Sequence, residues 1–280
     1  MIITVMTLLQ SVTPNYMRGR VMGINSMVNT AFSVTTYFMI WRLPSADENI
    51  IYALYALGGS LIVIGVYGLY RYLSRGPMPN RVANAAWRLD RLACLVWHRL
   101  TVNGRENVPS SGPVILAANH TSALDPFIMQ AGTRRMVRWV MLTQYQLKLA
   151  GFLWRAVKPI ALDRDSGDIA KIRQVVDELK KGEIVGLFPE GGLQRKVREL
   201  QPMEPGIGMI AKRSGATIVP VWVTGTPLSN SMAVHMLRPS RSTVTFGKPY
   251  KPDEKADAKQ ITEDLRNRLI ALSQQVGPQR

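Results

Sequence analysis

Two clusters of residues are equipped for chemistry. In Asn119-His120-Thr121-Ser122-Ala123-Leu124-Asp125, a histidine precedes an aspartate by five positions. An imidazole titrates near neutral pH, and a neighbouring carboxylate fixes its tautomer and stabilises its charged form. That pairing suits proton transfer near neutral pH. A continuous helix would set the two side chains roughly 140° apart. Asp125 precedes Pro126, which biases it away from helical geometry, so a turn can close the pair. The bland alternative is a strand-end histidine followed by an aspartate that caps a helix opening at Pro126. The second cluster, Leu187-Phe188-Pro189-Glu190-Gly191-Gly192, supplies a further carboxylate and two glycines. Successive glycines let backbone N–H groups approach a ligand or form an anion-binding nest. Arg195, Lys196 and Arg198 add positive charge to the same loop. For that fragment alone, a plain turn is the alternative.

Both clusters follow short apolar runs, Val114-Ile115-Leu116-Ala117-Ala118 and Ile184-Val185-Gly186-Leu187-Phe188, which read as buried strands. The clusters therefore sit at the carboxyl ends of strands, the edge where open α/β sheets collect ligands. Strands are expected at about 114–118, 184–188, 217–223 and 242–246. Helices are expected between and after them, at about 126–133, 168–181, 206–214 and 256–275. Lys180-Lys181-Gly182 and Gly215 are stop signals for two of these helices. Residues 101–280 are enough for one α/β domain.

Composition narrows the chemistry. His98, His120 and His235 are far apart in the chain, and Cys94 is the single cysteine, so no zinc-ligand spacing exists. One cysteine forms no internal disulfide, in keeping with a reducing compartment. Gly206-Ile207-Gly208-Met209-Ile210-Ala211 matches a dinucleotide fingerprint, but no good strand precedes it and no acidic residue follows at ribose distance. No cofactor is expected. No glycine-x-serine-x-glycine elbow occurs, so Ser122 reads as a turn or capping hydroxyl and not as a nucleophile. The formal net charge is +16, most of it beyond residue 75. No nucleic-acid-binding motif accompanies it. The charge is better matched to anionic lipid and anionic substrates.

The front of the chain is apolar. Residues 21–41 and 49–70 lack charge, and each is long enough to cross roughly 30 Å of hydrocarbon. Arg18, Arg20, Arg71 and Arg75 flank the outer ends, whereas Asp47 and Glu48 face only Arg42 in the link. The positive-inside rule then gives a transmembrane hairpin over residues 1–75, multi-pass in the cell membrane, with all that follows in the cytoplasm. Two buried helices of a soluble protein are the alternative. Residues 76–100 form a turn-rich linker and an amphipathic helix whose stripe includes Val82, Leu89, Leu92, Val96, Trp97 and Leu100. That stripe either lies in the bilayer surface or packs on the domain.

With these residues in view, the chain resembles the glycerolipid acyltransferase family, the lysophosphatidate or PlsC-type enzymes. Four ordered blocks carry the resemblance over roughly residues 95–250. They are residues 119–125, Lys158-Pro159-Ile160-Ala161-Leu162-Asp163-Arg164, residues 188–192, and Ile218-Val219-Pro220-Val221. Gly192 departs from the threonine often found there. The resemblance implies a mixed-sheet α/β domain with helices on both faces. His120 would be the base and Asp125 its orienter, with no covalent intermediate required. Arg164 would grip the acceptor's phosphate, Glu190 would orient its polar end, and Gly191 and Gly192 would shape the pocket. The implied substrates are acyl-CoA or acyl carrier protein as donor and a lysophospholipid as acceptor. Lysophosphatidate is the first expectation and lysophosphatidylethanolamine the second. Residues 14–24 also resemble the loop before the last two helices of a major facilitator transporter, which makes the upstream part of a transporter a candidate partner. A non-enzymatic transport accessory with a decayed acyltransferase domain is the rival from another class.

Overall fold

The computed structural model describes residues 47–142, 151–162, 168–192, 200–229 and 232–276. The chain divides into two compact units, Met1–Arg71 and Tyr72–Arg280. The described part of the first is helix α1 (Asp47–Ser74), whose last turn passes into the second. Within it, Ala56–Ser74 is long and apolar enough to cross a bilayer, with a mean hydropathy of 1.3. Ile62, Val63, Val66 and Leu69 are exposed along it. The helix overruns both ends of the span expected at 49–70. The span expected at 21–41 lies outside the described residues.

The second unit is built on a seven-stranded sheet. Its strands are β1 (Thr101–Asn103), β2 (Val114–Ala118), β3 (Val137–Leu142), β4 (Ile160–Leu162), β5 (Ile184–Leu187), β6 (Thr217–Thr224) and β7 (Thr243–Phe246). Their order is β1-β7-β6-β2-β5-β3-β4. Every neighbouring pair is parallel except β6 and β7, which run antiparallel. The sheet is thus mixed, as expected. The carboxyl ends of β2, β3, β4, β5 and β6 all meet one edge.

β2 shows why its continuous apolar run is a strand: it is buried on both faces. Ile115 and Ala117 enter one core, while Val114, Leu116 and Ala118 enter the other, the period-two alternation of a pleated strand. Helices α5 (Asp168–Lys180), α6 (Gly206–Ser214) and α8 (Ala258–Gln275) close the first core. Helices α2 (Arg81–Val96) and α3 (Asp125–Gly132) contribute to the second. Each fully buried leucine or isoleucine contributes about 1.5–3 kcal/mol. The two stop glycines act as read: Gly182 and Gly215 have φ of 82° and 62° and close the ends of α5 and α6. Gly208 has a packing reason, because a Cβ there would strike the Ala258 carbonyl where α6 meets α8.

Three strands (β1, β3, β4) and two short helices, α4 (Gly151–Val157) and α7 (Met232–Leu237), were not expected from the sequence. Helix α2 ends at Val96, short of Leu100, which is buried after the turn. Its packing face is also different from its apolar stripe. Ala83, Trp87 and Cys94 are buried, and Trp87 Nε1–H donates to the Gln130 and Thr133 carbonyls at 3.2 and 3.1 Å. Val82, Leu89, Leu92, Val96 and Trp97, all members of the stripe, point outward.

The inner side of α2 also holds Asp90, whose Oδ2 is enclosed and meets no donor among the described residues. Its Oδ1 accepts only a long 3.6 Å contact from the Cys94 thiol. Burial raises the Asp90 carboxyl from 3.8 to about 7, and the same burial pushes the Cys94 thiol up. A carboxyl whose folded value is raised stabilises the fold fully at low pH and loses that contribution as pH climbs through about 7. Thermal unfolding should therefore occur at a lower temperature at pH 8.5 than at pH 6. Asp90→Asn should flatten that difference. Equal slopes in the two proteins would remove Asp90 as its source.

Candidate active site

The residues after β2 form a tight turn that doubles back on itself. Asp125 N–H donates to the Ser122 carbonyl at 3.0 Å, and Leu124 N–H donates to Ser122 Oγ at 3.3 Å. Ser122 is fully buried, and its hydroxyl serves the turn as expected. Asp125 opens α3, with Pro126 immediately behind it, yet its carboxylate does not cap that helix. It turns back along the chain. Oδ2 accepts from Thr121 N–H and Ser122 N–H at 2.8 Å each and from His120 Nδ1 at 3.1 Å. Oδ1 accepts from the Thr226 hydroxyl at 3.0 Å. The carboxylate is completely buried, while the His120 side chain keeps 18% of its surface exposed.

This geometry decides the tautomer. A carboxylate accepts, so His120 Nδ1 carries the proton and Nε2 holds the free lone pair. The ring is clamped flat on Phe188, with centroids 3.9 Å apart and planes 17° from parallel. Phe188 stacks in turn on Trp139 at 5.8 Å. Trp139 lies over Gly186, the residue paired with it across β3 and β5, where a Cβ would strike the indole.

The second cluster is brought to the first. β5 ends at Leu187, next to β2, and the following turn is closed by Gly191 N–H on the Phe188 carbonyl at 3.1 Å. Gly191 has φ of 69°, a backbone region that favours glycine. Glu190 Oε1 accepts the His120 backbone N–H at 2.9 Å, and Oε2 accepts Gln201 N–H at 3.2 Å. Burial raises the Glu190 carboxyl, and the backbone N–H groups of His120 and Gln201 work against that rise. Gly192 is exposed beside this turn. Arg164, Arg195, Lys196 and Arg198 lie outside the described residues. β4 ends at Leu162, two residues before Arg164 and at the same sheet edge as β2 and β5.

Two supporting groups were not read from the sequence. Asn119 holds β2 to β6 with a pair of bonds: its amide donates to the Val223 carbonyl at 2.9 Å, and Val223 N–H donates to its Oδ1 at 2.8 Å. His235, on α7, accepts the Ala123 N–H at Nδ1. Both are contacts over more than a hundred residues of chain, with no local signature.

The arrangement can draw a proton from a hydroxyl placed at His120 Nε2 while Asp125 stabilises the resulting charge. Ser122 is turned away, so the described residues offer a base without an adjacent nucleophile. Such a site suits group transfer to an acceptor hydroxyl. Comparison with known proteins points to acyl transfer. Residues 99–224 match the family model described as Acyltransferase. The 1-acyl-sn-glycerol-3-phosphate acyltransferase of Bacillus subtilis (strain 168) is 25% identical over 150 residues, covering 53% of this chain and 72% of that protein. A protein of the same name from Cocos nucifera is 30% identical over 173 residues, covering 57% of this chain and 53% of its own length. The chloroplastic BAT2 enzyme of Brassica napus is 26% identical over 134 residues, only 38% of its length. The chain therefore spans between about a third and three quarters of these relatives. The crystal structure of the LPA acyltransferase PlsC from Thermotoga maritima shares the fold, with a TM-score of 0.61 and 15% identity, over 91% of this chain and 98% of that one. Residues 99–224 thus carry an acyltransferase sequence pattern on a fold similar to that of PlsC.

Proposed function

We propose that the protein transfers a fatty acyl group from acyl-CoA or acyl carrier protein to the free hydroxyl of a lysophospholipid. Lysophosphatidate is the favoured acceptor and phosphatidate its product. The observation that carries this reading is the His120–Asp125 pair, 3.1 Å apart, with Nε2 uncommitted among the described residues at the carboxyl edge of the sheet. The hydroxyl proton goes to His120 Nε2 as the oxygen attacks the thioester carbonyl. The tetrahedral adduct then collapses, the carbon–sulfur bond breaks, and the thiolate recovers the proton from the imidazolium. No metal or cofactor enters this route.

In this proposal Glu190 holds the His120 main chain, with Gly191 and Gly192 shaping the rim of the pocket. Arg164 grips the acceptor's phosphate, since a guanidinium presents a planar fork of donors to it. The outward apolar stripe of α2 and the apolar run of α1 support a site that works at a bilayer surface. The further proposal is a hairpin anchor with its catalytic side in the cytoplasm. The activities for which these relatives are named favour lysophosphatidate. Lysophosphatidylethanolamine is the second reading, favoured by the transporter-like sequence of residues 14–24.

The test is thiol release from acyl-CoA and from acyl carrier protein by the full chain in detergent, against a panel of lysophospholipid headgroups. Lysophosphatidate should give the highest kcat/KM. Arg164→Ala should raise the KM for that acceptor about tenfold or more with little change in kcat. An unchanged KM would take Arg164 out of the site, and no thiol release with any acceptor would defeat the proposal.

A further inference from the structure

His235 is fully enclosed, and both of its ring nitrogens are committed. Ala123 N–H donates to Nδ1 at 2.8 Å, so Nδ1 must hold a lone pair. Nε2 faces the Ser229 carbonyl at 2.7 Å, an oxygen that only accepts, so Nε2 must hold the proton. The two partners together permit one form of the ring: neutral, with hydrogen on Nε2. His120 is held in the opposite tautomer, with hydrogen on Nδ1. A ring so committed has no lone pair left to act on a substrate.

The partner of Nδ1 is what gives this contact meaning. Ala123 sits in the middle of the turn that joins His120 to Asp125, two residues from the carboxylate. Thr121 and Ser122 N–H are taken by Asp125 itself, and Leu124 N–H by Ser122 Oγ. Ala123 N–H is the remaining donor of that turn, and it is satisfied from another element, α7. We infer that His235 is a positioning residue of the acyl-transfer site, fixing through Ala123 the turn that places His120 on Asp125. The inference rests on His120 acting as the base.

Substitution can separate this role from mere filling of space. His235→Asn puts an acceptor oxygen near the Nδ1 position and loses the reach to Ser229. His235→Gln keeps a donor near the Nε2 position and loses the acceptor for Ala123, although its volume is closer to histidine. His235→Ala should lower kcat by about ten- to hundredfold, the scale of a slightly misplaced catalytic group, with the acceptor KM little changed. Asn should recover much of that loss and Gln should not. Gln equal to or better than Asn would overturn the inference, as would a normal kcat in the alanine variant. His120→Ala is assayed alongside: if that variant turns over normally, the base assignment fails and not merely the role of His235. Because only three histidines exist, nitrogen-15 histidine spectra of the unmodified protein test the arrangement directly. His98 Nδ1 also meets a hydroxyl, that of Ser240, at 2.9 Å, so the His235 signals are assigned by their loss in the His235→Asn variant; they should show a proton on Nε2 and a hydrogen-bonded, unprotonated Nδ1, with and without acceptor. Any other protonation pattern in the signals assigned to His235 would also overturn it.

Discussion

Replacing His120 with alanine should lower kcat by about 10²–10⁴-fold, the range that general-base catalysis supplies, while the protein remains folded. The substitution is clean because of how the residue is held. Its main-chain N–H donates to Glu190, and that bond survives the change. Only the ring is lost, with its stack on Phe188 and its bond to Asp125. The KM for the acceptor should stay within a few-fold, since the ring acts on the hydroxyl and not on the headgroup. Steady-state kinetics beside a thermal melt decide the matter. Turnover within a few-fold of the parent, in a folded variant, would falsify the mechanism.

Asp125 has the second large effect, and here two substitutions should part company. Asparagine keeps the shape and can leave its oxygen where Thr121 and Ser122 N–H converge, with its amide toward the Thr226 hydroxyl. What it cannot supply is negative charge behind the imidazolium. Asp125→Asn should therefore cost about 10³–10⁴-fold in kcat, as removal of an orienting carboxylate does in a histidine-based site, with a modest change in melting temperature. Alanine strands two buried N–H groups, each at about 1–3 kcal/mol. Asp125→Ala should thus lose stability as well as activity, melting several degrees lower. If both variants melted like the parent and turned over at similar rates, the carboxylate would be neither structural nor catalytic.

What the sequence made legible follows from where its signals are local. β2, β5 and β6 were read within a residue or so because a strand buried on both faces is a continuous apolar run. Helices α5 and α6 announced their ends through Lys180-Lys181-Gly182 and Gly215, whereas the Asp257 capping box that opens α8 was not read. β1 and β4 are three residues each, too short for any period to register. β3 carries Arg138 and Trp139 among its apolar residues, which breaks the pattern of a buried strand. Helix α2 left two readings open because its packing face carries no strong signal: its apolar stripe faces outward, and smaller or mixed residues, Ala83, Asn84 and Cys94, make the packing face with Trp87. The pair His120–Asp125 was readable because both residues lie in one turn. The contacts of Thr226, His235 and Val223 with that turn were not, since each spans about a hundred residues of chain and depends on the sheet order.

The enclosed hydroxyl of Ser122 has a kinetic consequence on the proposed route. With the Ser122 hydroxyl turned into the fold, the proposed route has no acyl group parked on the protein between two half-reactions. Donor and acceptor must then occupy the site together, and initial rates should follow a sequential law and not a ping-pong one. Isotope exchange between the thioester and free thiol should need the acceptor lipid.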